Sequence, residues 1–100
     1  MIYVVYASDK PGQEELRASI RETHRAHLRN PGRHKVQVRL GGPTLDESGL
    51  EMRGTMLVVE AESVEAVRAF LADDPYCRAG LFASLEIRPW RWGIGLPEAR

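Results

Sequence analysis

An α+β fold of the ferredoxin-like type, βαββαβ with a four-stranded antiparallel sheet and two helices on one face, is what this 100-residue sequence predicts. Three observations carry it. Four segments are β-branched or alternate apolar and polar residues, as strands do. Two others repeat apolar residues at helical spacing. Their order makes two βαβ-like halves that fit one antiparallel sheet.

The first strand is "IYVVYAS" (2–8), apolar on both alternating faces and ended by the breakers of "SDKPG". A helix follows. Pro11 suits its first turn, Glu14 and Glu15 suit its positive end, and "NPG" at 30–32 stops it. "HKVQVRL" (34–40) alternates as a second strand, with Val36, Val38 and Leu40 on one side. "GGPTLDESGLEMRG" (41–54) reads as a turn-rich connection to a third strand, "TMLVVEA" (55–61). Ser63 can cap a second helix, whose Val64, Val67, Phe70 and Leu71 recur up to the break at "DDPY". "FASLEIRPW" (82–90) is the last strand, and Pro89 marks where its pairing ends. With the first and third strands apolar on both sides, the face away from the helices would expose roughly several hundred Å² of apolar surface, so a second copy of the chain is expected to cover it.

One domain is expected over residues 1–100, with a core of about 1–92 and a tail at 93–100. The longest apolar runs, such as "MLVV", fall far short of the roughly 20 residues that span a bilayer, so no membrane partner and a cytoplasmic location are expected. Cys77, alone, cannot form an internal disulfide and is too little for a structural zinc site. Net charge is zero, with 14 basic and 14 acidic residues, but the signs are segregated. Arginines and lysine from 17 to 39 oppose only Glu22, whereas acids from 46 to 74 oppose only Arg53 and Arg68, a pattern that could bring two halves or two subunits together. Without a net basic charge or base-stacking aromatics, nucleic acid is not expected as a partner.

Helix geometry singles out a histidine. At about 100° per residue from Leu16, Ile20 falls at about 40°, Thr23 at about −20° and His27 at about 20°, so His27 is expected in the middle of the buried stripe. His24, at about 80°, is expected at its rim, and Arg17, Arg21, Arg25 and Arg29 on the solvated side. A buried imidazole needs hydrogen-bond partners. Either a backbone carbonyl satisfies His27, or a carboxylate orients it for proton transfer near neutral pH. Asp74 is the candidate carboxylate, held extended by Pro75 just past the second helix; it could equally cap a short helical turn there.

These motifs, taken in order, resemble the YCII-related domain proteins: "SDKPG", a helix ending in "HL", "GGP", "GT" at 54–55, "DDPY" followed by "AGL", and "EIRPW". The resemblance covers about residues 1–92. It implies a ferredoxin-like fold that dimerises into an α+β barrel, with a cleft that holds a histidine and an aspartate. By position the two correspond to His27 and Asp74, with Gly42 and Pro43 matching the family's turn and Thr55 standing where serine is common. The family often has arginine three residues before its histidine. Counted from His27, that place holds His24.

The expected function is therefore a small-molecule enzyme without a cofactor, in which His27 and Asp74 transfer protons during isomerisation, elimination or hydration of a small organic acid. His24, Gly42, Pro43, Thr55 and Tyr76 would bind the ligand, an anion being one candidate. The other reading is a noncatalytic dimeric binding or accessory module. No metal is expected: His24 and His27 are spaced i, i+3, but no "HExxH", "CxxC" or carboxylate cluster accompanies them. Trp90 and Trp92 could wall a cleft or pack at a subunit interface.

Overall fold

A computed structural model describes residues 1–95; the far end of the expected tail, 96–100, lies outside the described residues. The element order is β1 (Ile2–Asp9), α1 (Glu14–Arg29), β2 (Val36–Leu45), β3 (Met52–Ala61), α2 (Val64–Ala72), α3 (Pro75–Arg78) and β4 (Phe82–Trp90). The sheet is ordered β2-β3-β1-β4, antiparallel throughout. The ferredoxin-like arrangement is thus present, with α3 as an added turn between α2 and β4.

Alternation along the two central strands explains which residues face the helices. Tyr3, Val5 and Ala7 of β1 and Leu57, Val59 and Ala61 of β3 are buried on one side, where Val67, Phe70 and Leu71 of α2 meet them. The valine, leucine and phenylalanine side chains among them contribute about 1.5–3 kcal/mol each on burial. Opposite them, Tyr6, Met56, Leu40 and Trp90 are exposed, by register on the face turned away from the helices. Ser63 caps α2 by accepting from the Ala66 N–H, and Asp74 caps α3 by accepting from the Tyr76 N–H.

The connection expected at 41–54 is mostly strand. β2 continues through Gly41, Gly42 and Pro43 to Leu45, leaving residues 46–51 as the loop. The pairing register shifts between Val38 and Leu40, a bulge that breaks the two-residue alternation and so hides the rest of the strand. Pro43 is tolerated because β2 lies at the sheet edge. No helix among the described residues is long and apolar enough to cross a membrane.

Candidate functional site

The site forms where α1 leans over β2 and the corner between α2 and α3 closes against it. α1 turns a largely polar face inward: its two buried residues are Arg17 and His24, seven positions apart and so on one face. Of the arginine ladder, Arg17 is buried, Arg21 and Arg25 are half-buried and Arg29 is exposed. A cavity of about 580 Å³ opens between this helix and the sheet, lined by Arg17, Arg21, His24, Arg25 and Arg29 from α1, by Gly42 and Pro43 of β2, by Thr55 of β3 and by Tyr76.

Asp74 is 1% exposed and binds His24, with Nδ1 to Oδ1 at 2.8 Å, while the same oxygen accepts from the Tyr76 N–H at 2.9 Å. As a carboxylate Asp74 only accepts, so Nδ1 carries the hydrogen and the neutral ring keeps a lone pair on Nε2. That nitrogen has no protein partner among the described residues, and no buried side-chain nitrogen or oxygen is left unpaired, so Nε2 keeps its access to the cavity. This is the arrangement of a general base with an orienting carboxylate behind it.

The partner expected for Asp74 was His27, and the structure corrects this. His27 Nε2 pairs with the Phe70 carbonyl oxygen at 2.9 Å, and its ring stacks on Phe70 at 4.3 Å; it does not line the cavity. The stripe was expected to centre on His27, whereas burial centres on Arg17 and His24, about 70° around the helix. His27 satisfies itself on backbone, and His24 takes the carboxylate. The arginine three residues before the pairing histidine is then Arg21, which lines the cavity, so the departure noted from His27 disappears.

Arg17 and Asp9 were not singled out from the sequence. Arg17 donates from Nε and Nη2 to the two Asp9 oxygens at 2.7 and 2.9 Å, and from Nη2 to Thr55 Oγ1 at 2.9 Å. Burial works against its charge, but the hydrogen bond and Coulomb attraction of Asp9 outweigh it and hold its pKa above the ordinary value. The guanidinium carbon lies 4.6 Å from the Tyr76 ring centre, and His24 stacks on that ring at 3.9 Å. Burial keeps the Tyr76 phenol protonated by raising its pKa, against the lowering effect of Arg17 and Arg21. Thr55 and Tyr76 accept from Arg17, leaving both hydroxyl hydrogens for a ligand. Asp9 could have been sought at the end of β1, where strand-end carboxylates face the helices. Nothing local distinguishes Arg17 from its neighbours in the ladder.

A second histidine and aspartate meet beside the first: His34 Nε2 lies 2.7 Å from Asp73 Oδ2, which also receives Arg33 at 2.9 Å. Neither residue lines the cavity, and neither do Trp90 and Trp92, whose rings lie 4.7 Å apart. Cys77 is half-buried, and burial pushes its thiol up to about 11. Among the described residues, no three His, Cys, Asp or Glu side chains gather as metal ligands would.

A model of the YCII-related domain matches residues 1–91. The chain belongs to the YCII-related domain family. Relatives within it include Protein YciI of Escherichia coli, 32% identical over 99 residues with 91% of this chain and 97% of that protein covered. An uncharacterized Haemophilus influenzae protein is 30% identical over 95 residues, with the same shares covered. Among solved structures, the chain is similar to 5-chloro-2-hydroxyhydroquinone dehydrochlorinase (TftG) of Burkholderia phenoliruptrix, in complex with 2,5-dihydroxybenzoquinone. That family fold superposes with a TM-score of 0.79 and 35% identity, over 93% of this chain and 96% of that one. An Arabidopsis thaliana protein, At3g17210, shares the fold at a TM-score of 0.53 and 18% identity, over 95% and 98% of the two chains.

Proposed function

We propose that the protein is a cytoplasmic, cofactor-independent enzyme that moves protons on a small organic acid or enol, with His24 as general base and acid and Asp74 as its orienting group. The observation that carries this is the buried His24–Asp74 pair, whose second ring nitrogen faces a cavity. The dehydrochlorinase with the similar fold supports an elimination of HCl, in which a base takes a proton from a ring hydroxyl, the chlorine-bearing carbon is protonated, and chloride departs as the ring becomes a quinone. Here Nε2 accepts the proton, and Asp74 stabilises the imidazolium that results. Arg17 fixes Thr55 and Tyr76, whose free hydroxyl hydrogens meet the oxygen that gains charge.

The test is chloride release from 5-chloro-2-hydroxyhydroquinone, together with deuterium exchange into 2,5-dihydroxybenzoquinone followed by NMR. His24→Gln and Asp74→Asn are each expected to lower the rate by on the order of 100-fold or more. His27→Gln should leave it within about threefold. Undiminished exchange in His24→Gln would sink the assignment. The homodimer belongs to the same proposal, formed through the open sheet face that carries Tyr6, Leu40 and Met56.

A further inference from the structure

Five arginines line the cavity, and no aspartate or glutamate does, in a chain whose acidic and basic residues are equal in number. Their charges are not equally committed. Arg17 is held bidentately by Asp9, and Arg39 pairs with Glu60 at 2.9 Å. Arg25 reaches Glu22 only at 3.6 Å and near solvent, while Arg21 and Arg29 enter no ion pair among the described residues. Positions 21, 25 and 29 follow at i+4 spacing, so this charge extends about 12 Å along the helix at about 1.5 Å per residue.

The facing surface is different in kind. Leu28 and Pro31, with Val36 and Val38 of β2, give the cavity an apolar side. Its volume of about 580 Å³ also exceeds what one ring requires, since a cavity of about 150 Å³ holds benzene. A ligand consisting only of the reacting group beside His24, Thr55 and Tyr76 would leave the Arg25 and Arg29 end unfilled.

We infer that the cavity takes a two-part anion: a reacting portion beside His24, an apolar stem along Leu28 and Val38, and a carboxylate or phosphate at its far end against Arg25 and Arg29. The inference takes from the acid/base reading the placement of the reacting portion at His24. Arginine suits either acid, because its fork of N–H donors matches both geometries.

Calorimetric titration of the full chain at low salt with hexanoate, adipate and 6-phosphonohexanoate tests it. Adipate or the phosphonate should bind roughly tenfold or more tighter than hexanoate, since a charged acceptor gains charge-assisted hydrogen bonds. In the double variant Arg25→Gln, Arg29→Gln that advantage should disappear, with both dianions falling to the affinity that hexanoate has for the same variant. Which of the two wins identifies the far group as carboxylate or phosphate. Equal binding of hexanoate and both dianions, or an advantage that survives the double variant, would overturn the inference. Both substitutions lie on partly or fully exposed positions, and an unchanged melting curve certifies the fold. Deuterium exchange read separately distinguishes the two proposals: dianion selectivity without exchange removes the acid/base reading alone, and exchange without selectivity removes this one alone.

Discussion

Tyr76 lies between two side chains of one helix. Arg17 and His24 are about 10 Å apart along the α1 axis, and the phenol ring occupies the gap, in contact with the guanidinium and stacked on the imidazole. A single aromatic ring therefore bridges the guanidinium that holds Thr55 and the imidazole that holds Asp74. Cys77, the next residue, has the opposite character. With burial, and secondarily the Asp74 charge, pushing its thiol up to about 11, almost none is thiolate at neutral pH. Iodoacetamide at pH 7.5 should label it at least about tenfold more slowly than free cysteine; labelling at the free rate would contradict this. The residue scale is also where sequence reading reached least. Thr55, Gly42, Pro43 and Tyr76 were reached through the motifs of the family resemblance, and Asp74 also through the restraint that Pro75 places on it. The choice between His24 and His27 was not, because it depends on Arg17 being neutralised by Asp9 from another element, which turns the helix about its axis.

Elements were more legible, since periodicity survives local exceptions; the exceptions are the far half of β2, where its bulge interrupts the pattern, the start of β3 at Met52, and Pro89, which was expected to end the pairing of β4 but pairs with Tyr3. Gly54 shows how tightly β3 is held. A Cβ there would collide with the Ala7 carbonyl oxygen and meet Thr44 Oγ1 at 2.5 Å, and backbone on a central strand cannot retreat. Gly54→Ala should cost about 1–3 kcal/mol of stability by denaturant unfolding. A neutral result would show that β1 and β3 can separate there. The link from the start of β2 to the end of α2 is electrostatic. Asp73 has its pKa lowered from 3.8, chiefly by the His34 hydrogen bond and then by the Arg33 charge, against a desolvation effect that raises it. Because the folded value is the lower one, the contact stabilises the fold above the ordinary carboxylate pKa and loses that effect as pH falls through the depressed value. The stability difference between wild type and Asp73→Asn should accordingly shrink as pH falls below about 3.9. A difference constant over that range would be inconsistent with the link.

At the scale of the molecule, segregated charge becomes contact between the two halves: Arg33 meets Asp73 and Arg39 meets Glu60. What remains is the apolar face. Tyr6 is 50% exposed and Leu40 51%, on a sheet whose other side is covered. Met56→Lys on that face should convert a dimer into a monomer in light scattering, with its helical signal kept; a wild type already monomeric at 100-fold dilution from roughly micromolar concentration would rule the proposed interface out.

Asp73 and Asp74 are consecutive, yet they grip histidines on different parts of the chain, His34 in the connection before β2 and His24 within α1. Chain length is therefore constrained at this corner in a way it is not in the 46–51 loop. Deleting or inserting one residue between Leu71 and Pro75 would bring at most one carboxylate into the other's place and misalign both pairs at once. Variation in length among descendants of this chain would accumulate at the hairpin tip, and the corner would evolve by substitution alone.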